Sequence, residues 1–70
     1  MGRVAAIGEA VRVQGLALAG VVVLPGEEPD DVRASWAALP SDIEVVMLTP
    51  LAADAVGADR LKRLTVVMPP

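Results

Sequence analysis

Seventy residues, with six Lys/Arg against nine Asp/Glu and a net charge of −3, allow one domain (residues 1–70) and give no basic footprint for nucleic acid. The chain has no Cys and no His, which removes disulfides, thiolate or imidazole metal sites, and nucleophiles that depend on either residue. More than half of it (54%) is hydrophobic, yet Trp36 is its one aromatic residue, so small aliphatic side chains must fill the core. A domain of this size buries only about 60% of the surface its unfolded chain exposes, so it gains from a partner that covers more.

The first predicted element is a strand over Arg3 to Ile7, apolar enough for burial on both faces as in a parallel sheet. Gly8 turns the chain into a helix from about Glu9 to Leu18, with Glu9 near its positive end and Ala19-Gly20 as its stop. Gly15 lies inside that helix at a cost of about 1 kcal/mol against Ala. Close packing within the domain is the expected reason for it. Leu16 to Leu24, the longest apolar run, contains Gly20 and is far shorter than the roughly 20 residues a membrane helix needs. No export signal is visible, and the absence of Cys fits a reducing compartment, so the expected location is cytoplasmic.

Val21 to Leu24 form the second strand, with three β-branched residues in a row. The turn Pro25-Gly26-Glu27-Glu28-Pro29 follows, and a second helix runs to about Leu39, with Val32, Trp36 and Leu39 on one face and Trp36 as a core filler. After Pro40 comes a third strand, Ile43 to Leu48. Thr49 is a natural N-cap with Pro50 at the first helical position, so a third helix runs through Val56 to a cap at Gly57. A further turn spans Asp59 to Arg63, and its basic residues suit a solvated helix end. The fourth strand is Leu64 to Met68, stopped by Pro69-Pro70. Strand and helix alternate throughout. The predicted fold is therefore a flavodoxin-like three-layer α/β domain with a four-stranded parallel sheet in the order 2-1-3-4, and Ile7, Val22, Val46 and Val67 in the interior.

Ligands of such sheets bind beyond the strand ends at the switch point, here Gly8-Glu9 and Thr49-Pro50. A phosphoacceptor receiver needs paired acids and an aspartate at those places; Glu9 stands alone and Thr49 replaces the acceptor. No phosphate-binding glycine loop is present, Ser35 and Ser41 have no activating base, and Glu27, Glu28, Asp30 and Asp31 read as a solvated acidic turn. No catalytic residue, cofactor or metal is assigned, and tight ATP binding is not expected.

The words Ile7-Gly8-Glu9, Gly15-Leu16, Leu18-Ala19-Gly20-Val21, Leu48-Thr49 and Val66 to Pro69, in this order, resemble the F subunits of the vacuolar/archaeal-type rotary ATPases. The resemblance spans nearly the whole chain in short words of common residues. It implies a non-catalytic central-stalk protein that binds the coiled-coil axle of the rotor and contributes to ion-transport-coupled ATP hydrolysis or synthesis, peripheral to a membrane complex. In that family a further helix commonly follows the last proline, and this chain stops at Pro70. One face of strands 3 and 4 is then expected to lie bare. The partner-interface residues assigned on that basis are Ile43, Val45, Met47, Leu64, Val66, Val67 and Met68, on the face or the strand 4 edge. Their expected partner is the rotor axle or a homodimer mate. The alternative drawn from the residues alone is a small self-associating α/β interaction module unrelated to a rotor. A small-molecule module using the Gly8/Thr49 crevice is a weaker third reading.

Overall fold

The computed structural model describes residues 2–70. The elements are β1 (Arg3–Gly8), α1 (Ala10–Val13) running into a 3-10 segment (Gln14–Ala19), β2 (Val22–Pro25), α2 (Pro29–Ala37), β3 (Ile43–Leu48), α3 (Pro50–Val56), a second 3-10 segment (Gly57–Lys62) and β4 (Leu64–Val67). All strand pairs are parallel and the order is β2-β1-β3-β4, the flavodoxin-like arrangement expected from the alternation of elements.

β1 lies inside the sheet because its side chains suit burial on both sides: Ala5, Ala6 and Ile7 are fully buried. Ala5 and Ile7 face α2 and α3, and belong to one core with Val32, Leu39, Val46, Leu48, Ala52, Ala53 and Val56. Trp36 is partly buried against this core as a filler, as its helical spacing with Val32 and Leu39 predicts. Ala6 points the other way, as strand alternation requires. On that second face α1 and its 3-10 extension pack over β1 and β2, anchored by the buried Val13.

The first helix departs from expectation. A single α-turn gives way to the 3-10 segment, which ends at Gly20 in the left-handed region with φ 82°. Only Val13 provides a fully buried anchor, while Val11 and Leu18 are exposed, so no apolar stripe of period 3.6 holds a longer α-helix to the sheet. Gly15 does not permit a close approach: a Cβ there would meet open space.

A bulge changes which residues of β3 are buried. Arg3 pairs with Ile43, but Val4 pairs with Val45, which leaves Glu44 as the extra residue. Strict alternation groups Ile43 with Val45 and Met47. The bulge instead turns Ile43 into the α2/α3 core beside Val46 and Leu48. The start of the pair is held by a bidentate ion pair, Arg3 Nε to Asp42 Oδ2 at 2.6 Å and Arg3 Nη2 to Asp42 Oδ1 at 3.0 Å.

Candidate functional site

At the switch point, β1 ends in Gly8-Glu9 and β3 ends in Thr49, and the two ends are stitched together. The Thr49 N–H donates to the Ile7 carbonyl at 3.2 Å. The Thr49 side chain is fully buried and fills the place a Gly8 side chain would need: a Cβ on Gly8 would collide with its Cγ2 and Oγ1. Thr49 Oγ1 donates to Glu9 Oε1 at 2.5 Å and accepts from the Ala52 N–H at 3.3 Å. One hydroxyl thus caps α3, as its position before Pro50 predicts, and also binds the residue at the N-cap of α1.

Chiefly this Thr49 hydrogen bond, and next a backbone hydrogen bond, hold the Glu9 carboxyl below its ordinary range, with a smaller contribution from Arg12. Glu9 does not cap its own helix. Glu27 does, accepting from the Ala10 N–H at 2.9 Å through Oε2. Glu27, Glu28, Asp30 and Asp31 are all exposed, as expected of a solvated acidic turn, and Glu27 adds this one helix-capping bond, whose signal in the sequence was faint: an acid directly after Pro25-Gly26. The Gly26 N–H donates to the Gly8 carbonyl at 2.8 Å, and Arg12 Nη2 reaches the Pro69 carbonyl at 2.6 Å. The place where related sheets hold a ligand is filled by the chain's own hydrogen-bonded side chains. No cavity and no cluster of metal-ligating side chains occurs among the described residues.

The second candidate site is apolar. Registers place Ala6 beside Met47 and Met47 beside Val66, while Val4 neighbours Val45 and Val45 neighbours Leu64. Since α1 covers β1 and β2, the β3 and β4 part of this face has no helix over it among the described residues. Leu64 is 66% exposed and Val66 51%, with Val45 and Met47 half-buried beside them. Met68, also half-buried, continues the row, and its N–H donates to the Leu48 carbonyl at 2.7 Å.

Of the residues assigned to an interface, the structure thus brings Val45, Met47, Leu64, Val66 and Met68 to one face. Ile43 is not among them, because the bulge puts it in the core. Val67 pairs with Leu48 and so lies on the α2/α3 side. It is 43% exposed, not interior as expected, because an edge strand has a neighbour on one side only.

No helix among the described residues is long and apolar enough to cross a membrane. Comparison of the chain with protein-family models, curated proteins and solved structures returns no match.

Proposed function

We propose that this chain is a non-catalytic central-stalk component of a vacuolar/archaeal-type rotary ATPase, docking on the coiled-coil axle through the bare face of β3 and β4. The observation that carries the reading is that face: Val45, Met47, Leu64 and Val66 form an uncharged apolar strip beside α1. Exposed apolar strips of this kind mark interaction sites. Two adjacent strands are about 10 Å wide at their ordinary spacing, close to the diameter of one helix. The order of sequence words and the α/β topology support the same family. The hydrogen-bonded closure of the switch point by Glu9 and Thr49 favours a binding role over a chemical one. In this role the protein sits at the periphery of a membrane complex in the cytoplasm and contributes to coupled ATP hydrolysis or synthesis without binding nucleotide.

Co-expression with the coiled-coil axle protein encoded in the same genome tests the proposal. A stoichiometric complex is expected, with Met47→Lys weakening it by about tenfold or more through an unpaired charge in an apolar contact. Failure of the folded chain to bind the axle overturns the rotor reading. Micromolar ATP affinity by calorimetry overturns the non-catalytic part.

A further inference from the structure

We propose that the β4 edge pairs antiparallel with the β4 edge of a second copy, centred on Val66, to make one continuous eight-stranded sheet. This goes beyond the rotor reading and does not depend on it, since it uses the strand edge and leaves the apolar face open.

The direction of the backbone groups defines the register. Met68 donates its N–H to Leu48 across the β3–β4 pair. Backbone groups alternate along a strand, so those of Leu64 and Val66 also point to β3, and those of Thr65 and Val67 point to the open edge. An antiparallel mate satisfies them when Thr65 of one copy stands opposite Val67 of the second copy, and the reverse. That register places Val66 opposite itself on the two-fold axis, and Leu64 opposite Met68.

Three observations favour a second copy as the occupant. First, Leu64-Thr65-Val66-Val67-Met68 contains no charge, Pro or Gly and its pairing with β3 has no bulge, and the main helical contact of β4 among the described residues is the 3-10 segment that leads into it, so the devices that ordinarily prevent pairing are few. At the opposite edge Pro25 is itself the last residue of β2 and the 3-10 segment Gln14–Ala19 packs against that strand, whereas Pro69 and Pro70 lie beyond the five-residue segment of β4. Second, the pairing is self-complementary. Val66 meets Val66 and Leu64 meets Met68 on the apolar face, so the row from Ala6 through Met47 to Val66 continues across the axis. Third, the charges permit it. Arg63 falls opposite Pro69, and its side chain donates to the Ile43 carbonyl, whereas Arg12 holds Pro69 from the α1 face. The acidic turn Glu27 to Asp31 follows β2, the strand farthest from the axis, so the excess negative charge of the two copies stays apart.

Sedimentation velocity from micromolar to millimolar concentration, combined with cysteine cross-linking in a chain that has no native Cys, tests the pairing. Val66→Cys is expected to cross-link to itself under mild oxidation. A non-hydrogen-bonded antiparallel pair brings Cα atoms to about 4.5 Å, inside the roughly 4.4–6.8 Å a disulfide spans. Leu64→Cys is expected not to, because the two copies of that position lie roughly 13 Å apart along the strands. Thr65→Pro removes a donor that only the mate uses, so it is expected to keep the wild-type circular dichroism and weaken dimerisation about tenfold or more. A wild-type chain that sediments as a monomer throughout overturns the proposal. So does Leu64→Cys cross-linking as readily as Val66→Cys, or a folded Thr65→Pro variant that dimerises like wild type. The paired cysteine variants decide the matter even if the proline variant does not fold.

Discussion

Thr49 carries three tasks at one atom or next to it. Its hydroxyl caps α3 and binds Glu9, and its methyl occupies the space above Gly8. Thr49→Val keeps the shape and deletes the hydroxyl, so a loss of about 1–2 kcal/mol in urea unfolding is expected, from the cap and the Glu9 bond together. Gly8→Ala forces a methyl group against a side chain that has nowhere to move, and a loss of about 1–3 kcal/mol is expected. The acid limb of the stability curve follows from Glu9 and Asp42. Both folded carboxyls lie below their ordinary values of 4.5 and 3.8, held mainly by Thr49 and by Arg3 respectively. The unfolded chain then binds more protons across that window, so stability rises with pH there. The contribution is complete above the ordinary values and is lost as pH falls through the lower folded ones. Denaturant midpoints measured across the acid range should show this fall, and Glu9→Gln should flatten it.

Among the elements, those with explicit punctuation were legible. Thr49-Pro50 announced the start of α3 and Gly57 its end, and Val32, Trp36 and Leu39 announced the buried face of α2. The span of the first helix and its stop at Gly20 were legible too, but its 3-10 character was not, because local composition cannot report how little of it the sheet anchors. Gly15 is exposed, has no positive φ and meets nothing, so Gly15→Ala should convert part of the 3-10 segment to α-helix. Stabilisation by about 0.4–1 kcal/mol and a deeper 222 nm signal are the expected readouts. The bulge at Glu44 was equally hidden: period-two alternation has no way to signal one extra residue, and Ile43 changes face because of it. For the same reason Val45→Lys should leave the fold nearly intact, while Ile43→Lys should unfold it by burying an unpaired charge, which thermal melting separates at once.

At the scale of the whole molecule, the parallel sheet and its order were readable because each apolar run was followed by a turn or cap. The candidate site was readable only in part. The apolar face of β3 and β4 follows from alternation, but Glu27 at the α1 terminus and Arg12 on Pro69 depend on contacts between segments far apart in sequence.

The central position of β1 also has a kinetic meaning. Its pair with β3 is secured by Arg3 and Asp42, 39 residues apart, so the middle of the sheet closes only after a long loop has been drawn in. Topologies that rely on such distant pairing fold slowly for their size. β4 joins last in chain order, and its main contacts among the described residues are with β3 and the 3-10 segment before it. Substitutions that destabilise β4, such as Val66→Ala, should therefore speed unfolding and leave the refolding rate nearly unchanged, whereas Ala5→Gly in β1 should slow refolding, as stopped-flow chevrons would resolve. Such chevrons are the outcome expected when β1 and β3 pair before β4 docks, and the strand proposed above to pair with a second copy would then be the first to detach.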